Sequence, residues 1–177
     1  MLIRTAHTHP ARAERSGAAV VETAFVLLIV FTLMLGIFEY GRFLMVLNVC
    51  ENAVREGARL AVVQVTAGKS GAEIAATTDV IKDRVIAKLG PVANWLNVTR
   101  GQVTVVALDP VAFTDAGGWD TARPSDPIAV RIGIRQTGSD LPTGGAAVRY
   151  SPAVVGLLNM PNQINIFAQA SMGSEAN

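Results

Sequence analysis

The side chains that could do chemistry are few and widely separated in this sequence. His7 and His9, the 2 histidines, lie near the N-terminus, and the 1 cysteine is Cys50. Cys50 has no histidine nearby to activate it as a nucleophile, and a single cysteine excludes an internal disulfide framework. The four aspartates of the segment 109–127 are too scattered for an EF-hand calcium loop; they stand at positions 109, 115, 120 and 126. The sequence predicts no enzyme, no metal site and no cofactor.

One carboxylate stands in an unusual place. Glu22 lies within "GAAVVETAFVLLIVFTLMLGIF", which begins at Gly17 and carries no further charge until Glu39. A carboxylate costs about 2.5–3.5 kcal/mol near the centre of a membrane helix and less near an interface. A helix that only anchored a domain would insert better without it, so Glu22 needs a separate explanation.

The apolar run is long enough to cross a membrane. As an α-helix, residues 18–38 cover roughly 31 Å at about 1.5 Å per residue, which matches the thickness of a hydrocarbon core. Each Leu, Ile, Val or Phe contributes roughly −0.3 to −0.6 kcal/mol, so insertion is favourable despite Glu22. We predict a transmembrane helix over 18–38; a helix buried in a soluble core is the alternative.

The charges before the run predict its orientation. Arg4, Arg12 and Arg15 precede it, and only Glu14 opposes them. The positive-inside rule therefore predicts a cytoplasmic N-terminus, and it puts the chain beyond Glu39 outside, in the periplasm of a bacterium.

Two kinds of cleaved signal are alternatives to a membrane anchor. An ordinary secretory h-region has 7–15 residues and ends in a small-x-small site, whereas this run is longer and continues into residues 39–42, "EYGR". The segment "LNVC" at 47–50 resembles a lipoprotein site, but Val49 is bulky and charged residues separate it from the run.

The remaining composition is that of one small exported domain. Roughly 110 residues, 67–177, remain for a domain outside the membrane, which is enough for a single core. The net charge is +1, so no electrostatic argument supports a nucleic-acid partner. Cys50 is interpreted as a small apolar residue on a helix face, with an intermolecular disulfide as the alternative.

The helix is predicted to continue past the membrane. Between 39 and 65 there is no proline, and apolar residues recur at spacings of three and four: Phe43, Leu47, Cys50, Val54, Ala58, Ala61 and Val65. Glu39 with Arg42, and Glu51 with Arg55, have the spacing of helical ion pairs. One helix over 18–65 would be roughly 70 Å long.

Beyond this helix the pattern predicts an α+β domain. The glycines of 66–71 indicate a loop, 72–89 is an amphipathic helix ended by Gly90-Pro91, and 153–159 is a short helix. Alternation with a period of two predicts three half-buried strands, near 102–105, 128–135 and 163–172. Segments 109–127 and 137–145 are expected to be surface loops. These strands predict a small antiparallel sheet whose apolar face a helix must cover.

Three segments carry a resemblance to a known family. They are "SGAAVVETAFVLLI" from Ser16, "FEYGR" (Phe38, Glu39, Tyr40, Gly41 and Arg42) and "NAVREGARLAVV" from Asn52. Together they resemble the TadE-like pseudopilins of the tight-adherence (Tad/Flp, type IVc) pilus system. The resemblance covers about 15–65 and implies a pilin-like fold, in which the outer half of the long helix packs on the sheet.

The resemblance also implies a processing site. A membrane-embedded prepilin peptidase would cut after Gly17, which has no side chain to obstruct a protease cleft. The mature chain would then begin at Ala18, with Glu22 as its fifth residue. Glu22 could neutralise the new ammonium group of Ala18, on its own chain or on a neighbour. Thr23 and Leu28 depart from the family pattern of a large apolar residue and a proline, and Leu28 predicts a straighter helix.

The segment "REGAR" has two interpretations. Arg55, Glu56 and Arg59 could form a solvated helix face, with Gly57 and Ala58 permitting a close neighbour. The alternative is a specific docking role in a filament.

The sequence thus predicts four regions and a structural function. These are a cytoplasmic leader (1–17), the membrane helix (18–38), its amphipathic continuation (39–66) and a periplasmic α+β domain (67–177). The resemblance implies a minor pseudopilin of the inner membrane that contributes to pilus assembly or initiation, surface attachment and biofilm formation. Its implied partners are the prepilin peptidase, other pilins and pseudopilins, the inner-membrane assembly platform and the lipid bilayer. An uncleaved, membrane-anchored binding module of the same machinery is the alternative, and whether the protein enters the pilus or its tip is left open.

Overall fold

The computed structural model describes residues 13–64, 70–112, 115–119, 126–133, 147–153 and 164–173. The leader up to residue 12, the predicted loop at 137–145 and all but the first residue of the predicted helix at 153–159 lie outside these ranges.

The first element is one long helix. Helix α1 runs without interruption over Ala13–Val63, which is 51 residues and roughly 76 Å at about 1.5 Å per residue. The predicted continuity from the apolar run into the amphipathic segment is confirmed. Side chains of 18–38 are almost all exposed, whereas from Glu39 onwards one face of α1 is buried.

A second helix returns alongside α1. Helix α2 covers Gly71–Leu89, within a residue of the prediction. Ser70 caps its start, because its hydroxyl accepts from the amide of Glu73 while the Glu73 carboxylate accepts from the amide of Ser70. Gly90 at φ 56° ends α2, and Pro91 then starts helix α3, Pro91–Trp95, which was not predicted.

The strands form an antiparallel sheet. Strands β1 (Val103–Leu108), β2 (Asp115–Gly118), β3 (Ile128–Ile132) and β6 (Ala168–Met172) lie in the order β2-β1-β3-β6. Strands β4 (Val148–Tyr150) and β5 (Ile164–Ile166) form a separate antiparallel pair. The α+β prediction with a small antiparallel sheet is confirmed.

The pair β4–β5 continues β3–β6 in register. Ile132 pairs with Ala168 at the end of β3, and Val148 pairs with Ile166 at the start of β4. Strand β3 ends at Ile132. At the next residue, Gly133, φ is 77° and an added Cβ would lie 2.2 Å from the carbonyl oxygen of Ile166. Only glycine fits both constraints.

Three strand predictions need correction. The segment 109–127 is not only a loop, because β2 lies within it and pairs with β1. The segment 163–172 is not one strand, since Phe167 separates β5 from β6. Strand β3 is not half-buried, because all five of its residues are buried, including Arg131.

The core lies between α1, α2 and the sheet. Helix α1 packs against α2, β3 and β6. Most of the side chains that it buries in the core are small, and four of them are 0% exposed: Cys50, Ala53, Ala58 and Ala61. At Gly57 an added Cβ would lie 2.5 Å from Val85 Cγ2 of α2 and 3.2 Å from Val130 Cγ1 of β3. Glycine therefore sets the closest approach of the three elements.

Candidate functional site

The exposed half of α1 is suited to lipid. In the described part of the chain one helix, Gly17–Val63, is long and apolar enough to cross a membrane, and its most apolar stretch is not buried by the domain. Thr23 and Thr32 donate their hydroxyl protons to the carbonyl oxygens of Ala19 and Leu28, each at 2.8 Å. Both hydroxyls are thus satisfied within the helix, as a bilayer interior requires.

The three predicted processing residues lie at the start of this half. Gly17, Ala18 and Glu22 are all exposed on α1. An added Cβ at Gly17 would meet nothing within 4 Å, so the domain does not obstruct the bond after it. In the described ranges Glu22 has no hydrogen-bond or ion-pair partner, and Ala18 lies one helical turn before it on the same face.

Glu39 marks the junction between the exposed half of α1 and the domain. Phe38 is 67% exposed, whereas Glu39, the next residue, is 5% exposed. Its Oε1 accepts three hydrogen bonds: from Tyr150 Oη at 2.5 Å, from Arg42 Nη2 at 2.9 Å and from the amide of Ala153 at 3.2 Å. A buried carboxylate is tolerated when it is hydrogen-bonded and paired in this way.

Arg42 completes the junction. Its Nε donates to Tyr150 Oη at 2.7 Å, and Nη2 also donates to the carbonyl of Ser151 at 3.2 Å. The guanidinium carbon lies 5.2 Å from the centroid of the Tyr150 ring, and the ring of Phe43 meets Tyr150 edge-on at 5.5 Å. Burial, followed by the hydrogen bond to Glu39, raises the pKa of Tyr150, so the phenol stays neutral and donates.

The segment 38–42 is therefore divided between two faces of α1. Glu39 and Arg42 form hydrogen bonds with strand β4 and with the turn after it. Tyr40 and Gly41 are exposed on the other side of the helix. Tyr150, Ser151 and Ala153 were not singled out from the sequence. They lie more than a hundred residues from their partners, and no local spacing relates them.

The "REGAR" segment is divided in the same manner. Gly57 and Ala58 are buried in the core, which agrees with the expected close neighbour. Arg55 and Arg59 are exposed, and Glu56 forms an ion pair of 3.3 Å with Arg84 of α2. Arg55 keeps its predicted partner Glu51 at 3.4 Å. These contacts show a packing role within the domain and leave the two arginines on its surface.

Cys50 lies in the core and is 0% exposed. An intermolecular disulfide would require the core to open, so the interpretation as a small apolar core residue is favoured. Within the described ranges no group of three His, Cys, Asp or Glu side chains could hold a metal ion.

Comparison with known proteins identifies the helical segment. Residues 17–59 match the TadE-like protein family. The match begins at the predicted cleavage residue Gly17 and ends at Arg59, so it covers the exposed half of α1, the junction residues of α1 and the "REGAR" segment. Over this segment the chain is similar to the TadE-like family, and the resemblance seen in the sequence is confirmed. The chain matches no curated protein and no solved structure.

The family match indicates involvement in the Tad pilus system and its membrane-associated machinery. The exposed apolar helix is consistent with a membrane-anchored component of that system.

Proposed function

We propose that this protein is a minor pseudopilin of the tight-adherence pilus, cut by prepilin peptidase after Gly17. It contributes to pilus assembly or initiation, and through the pilus to surface attachment and biofilm formation. The observation that carries this proposal is the TadE-like match from Gly17 to Arg59 on a helix whose first half is exposed and apolar.

The geometry around Gly17 supports cleavage. The residue is exposed and has open space around it. Glycine inside a helix also weakens it by roughly 1 kcal/mol relative to alanine, so local opening for a protease costs less there. Cutting would create an ammonium group at Ala18, and Glu22 lies one turn away to receive it.

The orientation we propose has the leader in the cytoplasm and the domain in the periplasm. Arg4, Arg12 and Arg15 favour it through the positive-inside rule. The proposed partners are the prepilin peptidase, other pilins and pseudopilins, and the assembly platform of the inner membrane. We propose a structural rather than a catalytic role, because neither the sequence nor the described residues bring together a nucleophile and a base.

The experiment is to determine the mature N-terminus by mass spectrometry in cells that contain the peptidase. We expect a chain that begins at Ala18, and we expect Gly17→Leu to leave the full-length precursor, because a branched side chain obstructs the cleft. Ala24→Leu is the matched control: it adds the same side chain to the same exposed helix beyond the site, and it should be cut like the wild type.

Two results would contradict the proposal. An intact Met1 in the wild type would favour an uncleaved, membrane-anchored binding module. A cut beyond residue 40 would indicate an ordinary secretory signal.

A further inference from the structure

We propose that Arg42 binds the phosphate group of a membrane phospholipid, at the bilayer surface where α1 enters the domain. This site goes beyond the pilus function. It depends on residues 18–38 crossing a bilayer, and it does not depend on cleavage after Gly17, on the orientation of the helix or on assembly.

The position of Arg42 along α1 places it among lipid headgroups. Arg42 lies four positions after Phe38, which is a rise of about 6 Å. The headgroup region on each side of a bilayer is about 5–7 Å thick, given a core of about 30 Å and a total of about 40–45 Å. Tyr40, between them, is 59% exposed, and tyrosine is enriched at this depth.

The edge of the domain that contacts Glu39 lies at the same depth as the lipid headgroups. The amide of Ala153 and the hydroxyl of Tyr150 both bind Glu39, the first residue after the predicted span. Ser151 and Ala153 are exposed beside them. No linker separates the span from the domain, so this edge of the domain must meet the headgroups.

The guanidinium group of Arg42 is held with one edge free. Nε donates to Tyr150, and Nη2 donates to Glu39 and Ser151. Cζ lies over the Tyr150 ring, 5.2 Å from its centroid. In the part of the chain that the structure describes, Nη1 has no protein partner. The Arg42 side chain is 40% exposed while that of Glu39 is 5% exposed, so the positive member of the pair faces outwards.

A lipid phosphate fits this edge better than a protein carboxylate. Arginine donors match the oxygens of a phosphate group, and phosphates surround α1 at this height whenever the helix spans a bilayer. On the other side of α1 at the same height, Tyr40, Leu44 and Met45 are exposed and continue the apolar surface of the span. A carboxylate would require a second protein to be seated there.

The test is solid-state NMR of the full-length protein in bilayers of phosphatidylethanolamine and phosphatidylglycerol. Arginine is labelled with ¹³C at Cζ, and dephasing of its signal by lipid ³¹P is measured. An N–H···O bond of about 2.8 Å brings Cζ and phosphorus within about 5 Å. We expect Arg42→Lys to reduce the dephased fraction. Arg59→Lys is the control and should leave it unchanged, because Arg59 lies roughly 26 Å further along α1.

Arg42→Lys could also break the hydrogen bonds of Arg42 to Glu39, Tyr150 and Ser151, so a second measurement keeps Arg42 in place. The sequence has 2 tyrosines, so in a Tyr40→Phe variant Tyr150 is the one that remains. Because Arg42 lies over the Tyr150 ring, the arginine signal that correlates with a labelled tyrosine ring belongs to Arg42. We expect this signal to be dephased by ³¹P. Absence of dephasing, or contact with a carboxylate carbon of another chain in its place, overturns the proposal.

Discussion

At the scale of single residues, the junction shows what helical spacing can predict. Glu39 and Arg42 are three residues apart, which predicts an ion pair, and the structure gives it a distance of 2.9 Å. The burial of Glu39 has another cause, since Tyr150 and Ala153 approach it from 111 and 114 residues away. No local pattern in the sequence contains that contact, because it depends on how β4 meets α1.

The neutral phenol of Tyr150 provides a test of this junction. Burial and the hydrogen bond to Glu39 raise its pKa, so its neutral form stabilises the fold below about pH 10. That contribution is lost as the pH rises through the raised pKa. In a Tyr40→Phe variant, tyrosinate absorbance reports Tyr150 alone, and its midpoint should lie above the ordinary value.

The control is the same variant unfolded in guanidinium chloride, where the midpoint should return to about 10. A folded midpoint at or below that of the unfolded chain would mean that Tyr150 does not donate to Glu39.

At the scale of elements, period-two alternation predicted the strands that have one apolar face. Strand β1 and the β5–β6 segment bury alternate residues as expected. Strand β2 escaped prediction because its residues, "DAGG", are depleted in strands. It is held by pairing with β1 and by the ion pair between Asp115 and Arg131.

Strand β3 shows the limit of the same reasoning. Arg131 occupies a position that alternation assigns to solvent, yet it is 8% exposed. Its partners are Asp115 of β2, two strands away, and Gln169 of the neighbouring β6, so its burial depends on the order of the strands in the sheet. Strand order cannot be derived from the alternation of a single strand.

The contact of α1 with α2 and β3 provides a paired prediction. Gly57→Ala should destabilise the domain by about 1–3 kcal/mol, because the new methyl group overlaps buried Val85 and Val130. Gly41→Ala should instead stabilise it by roughly 0.5–1 kcal/mol. Gly41 lies on the exposed face of the same helix, where a Cβ meets nothing within 4 Å.

The measurement is denaturant unfolding of both variants in detergent, monitored by tryptophan fluorescence. A Trp95→Phe background leaves Trp119 as the reporter, and Trp119 is 3% exposed in the folded domain. Equal effects of the two substitutions would show that helix propensity, and not close packing, determines the response at Gly57.

At the scale of the whole molecule, α1 joins two environments without a break. Among the residues that the structure describes, none packs against its first half, and its second half is one wall of the core. The apolar length and the one-sided stripe in the sequence predict this division. The sequence does not predict the burial of Glu39 at this boundary, because Glu39 looks like a surface charge until Tyr150 is placed beside it.

Glu22 is the one carboxylate in the exposed apolar half, and its proposed role belongs to the assembled molecule. If it neutralises the ammonium of Ala18, Glu22→Gln should still permit cutting, because the side chain keeps its size and lies beyond the scissile bond. Association with partner pilins should weaken about tenfold or more, since an ammonium that loses its counter-charge in a low-dielectric setting costs roughly 1–3 kcal/mol. The measurement is the mass of the mature chain together with the amount of partner pilin that co-purifies. Glu51→Gln is the matched control, because Glu51 pairs with Arg55 at the surface of the domain and its loss should change neither result. Normal cleavage with undiminished association in Glu22→Gln would show that the ammonium of Ala18 does not need this carboxylate.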